Sequence, residues 1–122
     1  MPIAGAFHAL FRAACEDRDL DAFMDLWLVD EPSITMWGSD LDERAVGRDA
    51  IRALAERITT SEHRLRFAWE VVNVHERGEA AWVNASGSIH VDDERRPYRL
   101  TAVLERNYAG WRWHTFNGSI PD

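Results

Sequence analysis

The chain has 122 residues, 46% of them apolar, and its 21 acidic and 14 basic side chains leave a net charge of −7. That length predicts a single domain, residues 1–122, with room for one core and one pocket. The negative charge disfavours nucleic acid and anionic membrane surfaces as partners, and no run approaches the roughly 18 uninterrupted apolar residues of a membrane helix.

All fourteen basic residues are arginine, so Schiff-base lysine chemistry is excluded. No basic stretch precedes an apolar one in Met1–His8, and Cys15 is the only cysteine. Both features predict a cytoplasmic protein without an intrachain disulfide.

The first half reads as helices. Phe7, Leu10, Phe11 and Ala14 recur at helical spacing, as do Leu20, Phe23, Met24 and Trp27, and then Ile51, Leu54, Ala55 and Ile58. Asp19 is placed to cap the second helix through its carboxylate, and Gly47 opens the third. Between them, Ser33–Trp37 predicts a short strand and Gly38–Arg44 a polar loop.

The second half reads as strands. Leu65–Val74, Ala80–Val91, Pro97–Tyr108 and Trp111–Gly118 are rich in branched and aromatic residues and are separated by turns at Glu76–Glu79, Asp92–Arg96 and Ala109-Gly110. Helices followed by meandering strands predict an α+β domain with helices covering one face of a curved sheet.

The closing pattern W-x-x-x-x-F-x-G-S-x-P, from Trp111 to Pro121, is similar to the end of proteins in the SnoaL-like, nuclear transport factor 2-like superfamily. Asp19–Trp27 resembles that family's second helix and Val46–Ile51 the start of its third. The resemblance implies a cystatin-like, cone-shaped fold, with three N-terminal helices packed on a strongly curved, mainly antiparallel sheet. It also implies a homodimer through the sheet and a hydrophobic small molecule in the cone. The superfamily includes ketosteroid isomerases, polyketide cyclases and dehydratases alongside domains that only bind or associate, so fold alone does not choose a reaction.

Isomerase-like members carry a carboxylate base after the first strand and a tyrosine on the first helix. Carried over residue by residue, these positions hold Gly38 and Phe11, so both groups are missing. The nearest acid is Asp40, followed in the same loop by Asp42 and Glu43. A carboxylate at the mouth of an apolar pocket beneath Trp37 can shuttle a proton, which makes Asp40 the catalytic candidate; its alternative role is that of a solvated loop acid. Asn117 stands where association-domain relatives carry a histidine, and an amide there can position or polarise a carbonyl but not exchange a proton.

Strict alternation groups Phe67 and Trp69, Trp82, Asn84 and Ser86, Arg99 and Thr101, and Trp113, Thr115 and Asn117 on one face. If that face is interior, Trp69, Arg99, Trp113 and Asn117 line a pocket with Trp37; if exterior, it is a dimer surface. His114 is the histidine best placed to line a cavity. The five histidines lack metal-ligand spacing, and no phosphate-binding glycine loop or G-x-S-x-G is present, so neither a metal nor a cofactor is expected. The sequence therefore supports a small-molecule-binding protein, with cofactor-free isomerase, cyclase or dehydratase chemistry as one reading and a non-catalytic ligand-binding or dimerisation module as the other.

Overall fold

The structure, a computed structural model, describes residues 1–121. Helix α1 (Ile3–Phe11) runs into a π-helical turn, Arg12–Glu16, and is followed by the short helix α2 (Leu20–Met24). Strands β1 (Thr35–Trp37) and β2 (Arg44–Val46) precede helix α3 (Arg48–Thr59). Strands β3 (Leu65–Arg77), β4 (Ala80–Val91), β5 (Glu94–Asn107) and β6 (Gly110–Ser119) complete the chain.

The six strands form one sheet in the order β2-β1-β6-β5-β4-β3. All neighbours are antiparallel except β1 and β6, which run parallel. The α+β cone expected from the sequence is thus the observed architecture.

Local chemistry explains most element ends. The Asp19 carboxylate accepts the Ala22 N–H at 3.0 Å and caps α2. Gly47 enters α3 at φ 88°, a conformation that glycine adopts without a Cβ penalty. Helix α2 stops earlier than its apolar stripe because Trp113 N–H donates to Leu26 O and Leu28 N–H donates to Trp113 O, at 2.7 and 3.0 Å. That bridge draws Trp27 out of the helix and onto β6. Strand β2 is an addition to the expected elements: Arg44 ends the expected loop, Val46 is matched to the start of the third helix, and three residues are too few for a periodicity to show.

Two β-bulges correct the expected face. Register shifts between Trp69 and Val71 on β3, and at His114 on β6, where Trp113 pairs with Leu104 and Thr115 with Val103. Each extra residue reverses the alternation beyond it and bends the strand. Phe67, Trp69 and Trp113 therefore point inward, whereas Trp82, Asn84, Arg99, Thr101 and Asn117 do not join them in the core.

The core lies between the helices and the aliphatic face, where Ala81, Val83, Leu100, Ala102 and Leu104 are buried against Phe7, Leu10, Phe23 and Ile51. Trp113 is its centre. It is fully buried, stacks on Phe7 at 5.6 Å between centroids, and donates its indole N–H to Ala6 O at 3.0 Å.

Candidate functional site

The open end of the cone leads into a cavity of about 360 Å³. Leu10, Phe11, Phe23, Leu54, Phe67 and Phe116 supply apolar walls, and the polar groups that reach it include Asp40, Glu43 and Tyr98. A mainly apolar chamber with a few convergent polar groups is the usual form of a small-molecule site.

Glu43 sits at the base of the β1–β2 hairpin. Gly38 N–H donates to Glu43 O at 2.7 Å, and Glu43 N–H donates to Asp40 O at 3.0 Å, so the loop closes on itself. The Glu43 carboxylate then accepts the Asp40 N–H at 3.0 Å through Oε1. A Cβ built at Gly38 would lie 3.0 Å from both Cδ and Oε1 of Glu43. The carboxyl of Glu43 thus fills the space that a side chain at position 38 would occupy. Burial pushes the Glu43 carboxyl above its ordinary value and the charges of Asp40 and Asp42 push the same way, against the Asp40 N–H bond and Arg57.

Tyr98 is buried on β5, and a Cβ at Gly118 would collide with its hydroxyl. Among the described residues, no group bonds to that hydroxyl; burial, followed by the charge of Glu43, raises its pKa and keeps it a proton donor. An apolar chamber with one carboxyl ready to exchange a proton and one neutral O–H can take a proton from carbon and support the resulting oxyanion.

The residues expected from sequence fall in several places. Asp40 does line the cavity, at its exposed rim, and contributes a backbone N–H to Glu43. Phe11 and Gly38, the two positions of the missing groups, line it as well. Trp37, Arg99, Trp113, His114 and Asn117 do not. Trp37 is exposed, with the Arg44 guanidinium 5.8 Å from its ring centroid. Arg99 and Asn117 are exposed, and Trp113 is locked in the core. His114 occupies the bulge, with Ser33 Oγ at 2.9 Å from Nε2 and Thr115 Oγ1 at 2.6 Å from Nδ1. Trp69 lines a second, neighbouring groove.

Sequence reasoning passed over Tyr98 and placed Glu43 behind Asp40. A glycine closing a strand, with an acid five residues later across a tight loop, was the available signal for Glu43. Among the described residues, no three His, Cys, Asp or Glu side chains gather as metal ligands would, and no helix is long and apolar enough to cross a membrane.

Residues 4–122 match the family model of the SnoaL-like domain. Among solved structures, a candidate dehydratase of the nuclear transport factor 2-like family from Streptomyces avermitilis superposes with a TM-score of 0.89 at 19% identity, covering 98% of this chain and 94% of that one. A candidate calcium/calmodulin-dependent protein kinase type II association domain from Thiobacillus denitrificans gives 0.84 at 22% identity, covering 98% and 95%. A nuclear transport factor 2-like protein with a cystatin-like fold from Novosphingobium aromaticivorans gives 0.77 at 18% identity, covering 98% and 80%. No curated protein matches the chain. At these identities the likeness to solved structures is one of fold.

Proposed function

The chain belongs to the SnoaL-like domain family, and from that premise we propose that it is a cofactor-free proton-transfer enzyme acting on an apolar carbonyl compound bound in the cone. The reading rests on the Glu43 carboxyl, which fills the side-chain space of Gly38 at the wall of an apolar cavity. Position 38 is where isomerase-like relatives carry their base, so Glu43 supplies that base from across the hairpin.

In this reading Glu43 removes a proton from the carbon next to the carbonyl, and the electron pair moves onto the carbonyl oxygen. The Tyr98 O–H donates to that oxygen. Return of the proton to a different carbon completes an isomerisation, and departure of a β-hydroxyl that takes the proton completes a dehydration. Asp40 holds Glu43 through its backbone and is not itself the base.

Deuterium uptake at the α-carbon of a hydrophobic cyclic ketone such as α-tetralone, followed by NMR in D₂O, tests the proposal without knowledge of the natural substrate. Uptake should exceed the protein-free rate and fall about tenfold or more in Tyr98→Phe, as loss of one oxyanion donor requires. Rates equal to buffer across such ketones would overturn it.

The outer sheet face favours a second role, association. Trp82 stacks on His75 at 4.5 Å between centroids and remains exposed, as does Val71. An exposed tryptophan and valine on neighbouring strands suit a second copy of this chain. Light scattering after size exclusion at micromolar concentration should return twice the 14.0 kDa chain mass; a monomer would refute the association.

A further inference from the structure

Beside the cone lies a groove between one face of α1 with its π-helical turn and the beginning of β3. His8, Arg12, Cys15 and Glu16 recur at helical spacing on one wall. Arg64, Arg66 and Trp69 come from the other, with His90, the β4 partner of Arg66. The groove and the cone cavity share Phe11, Leu65 and Phe67 as a common wall. Phe11 and Phe67 touch with ring centroids 4.8 Å apart.

Most guanidiniums outside this groove are engaged. Arg48, Arg52, Arg57, Arg95, Arg96 and Arg106 each face a carboxylate, and Arg18 donates to the carbonyls of Ser61 and His63 at 2.6 and 2.7 Å. Among the described residues, Arg12, Arg64 and Arg66 have no such partner, which is also true of Arg77 and Arg99, but only these three line one groove, in a chain with seven excess negative charges. Two carboxylates border the groove. Asp92 is held by the backbone N–H of Arg64 at 2.9 Å and faces His63 Nδ1 at 2.7 Å, so with Glu16 two carboxylates stand against three guanidiniums. Trp69 adds a buried indole Nε1–H with no hydrogen-bond partner.

We propose that this groove is an anion subsite, in which Arg12, Arg64 and Arg66 take the carboxylate of an apolar acid whose hydrocarbon part passes the Phe11–Phe67 pair into the cone. Guanidinium binds carboxylate through paired, charge-assisted hydrogen bonds, and the shared apolar wall puts that charge within one side chain of the apolar chamber. The inference rests on the cone being the ligand cavity, and it does not depend on Glu43 chemistry.

Calorimetric titration of the full chain with octanoate and with octan-1-ol separates the charge from the hydrocarbon. Octanoate should bind about tenfold more tightly than the alcohol, and raised salt should narrow the gap. The double variant Arg64→Gln/Arg66→Gln should bring the two within about twofold, while Arg77→Gln, at the exposed far end of β3, should preserve the preference. Circular-dichroism melting checks that the variants remain folded. Equal binding of acid and alcohol by the unmodified chain, no binding of octanoate, or a preference that survives the double variant would each overturn the subsite. Ketone deuteration by the unmodified chain keeps the two proposals separable: deuteration without acid preference defeats only the subsite, and its absence beside an intact preference defeats only the proton-transfer reading.

Discussion

Glu43→Gln is expected to lower ketone deuteration by about 10²–10⁴-fold, the usual contribution of a positioned acid or base. Glutamine keeps the size of the side chain and can still accept the Asp40 N–H, so the loop should survive while the exchangeable proton is lost. Asp40→Asn should stay within about threefold of the parent, because the backbone N–H that holds Glu43 is unchanged. If Asp40→Asn were the more damaging change, the base would have to be reassigned.

The same variant carries a stability signature of fixed sign. Burial raises the Glu43 carboxyl above its unfolded value, so the folded chain holds this proton more tightly than the unfolded one. That contribution is complete below the unfolded value of about 4.3 and is lost as pH rises through the raised folded value. Glutamine is neutral throughout and avoids the loss. Glu43→Gln should therefore melt with the parent below about pH 4 and on the order of 1–3 °C higher near pH 7, a small gain because the carboxyl is half in solvent. A lower melting temperature near neutral pH would show that the carboxylate stabilises the fold.

Trp113→Ala should cost about 3–5 kcal/mol, the range for removing a buried tryptophan. The indole is fully buried and has Phe7, Trp27, Phe11 and Phe116 within 6.0 Å of its ring centroid. Its N–H ties β6 to α1 through Ala6 O, so truncation opens a cavity where helix and sheet meet. Domains of this size have about 5–15 kcal/mol in total, and urea unfolding should show a midpoint lowered by a large fraction. Trp113→Phe retains aromatic contact and should lose less. A change under about 1 kcal/mol in Trp113→Ala would mean that the core closes over the gap.

These outcomes depend on features that sequence reveals unequally. The stripes of α1 and α3, the Asp19 cap, the Gly47 start of α3 and the bounds of Ala80–Val91 were legible, because each follows from local periodicity or a local hydrogen bond, whereas Trp27 left its stripe for a partner on β6. The two bulges were not, since an unpaired residue is defined only by the neighbouring strand. That is why alternation placed Thr115 and Asn117 with Trp113. Asp40 was legible as an acid near the cavity, but the choice of Glu43 required knowing that Gly38 leaves a space and that the hairpin turns the later carboxyl into it. Tyr98 was hidden for the same reason: its hydroxyl has room only because residue 118, on the adjacent strand, is glycine.

The bulges at Glu70 and His114 also divide each of their strands into two segments of opposite phase. On β3, odd-numbered side chains belong to the interior up to Trp69, and even-numbered ones follow from Val72. On β6, Trp111 and Trp113 give way to Phe116 and Gly118. Neighbouring halves of a single strand can therefore change under separate pressures, and a substitution harmless at one odd position becomes disruptive at another a few residues away.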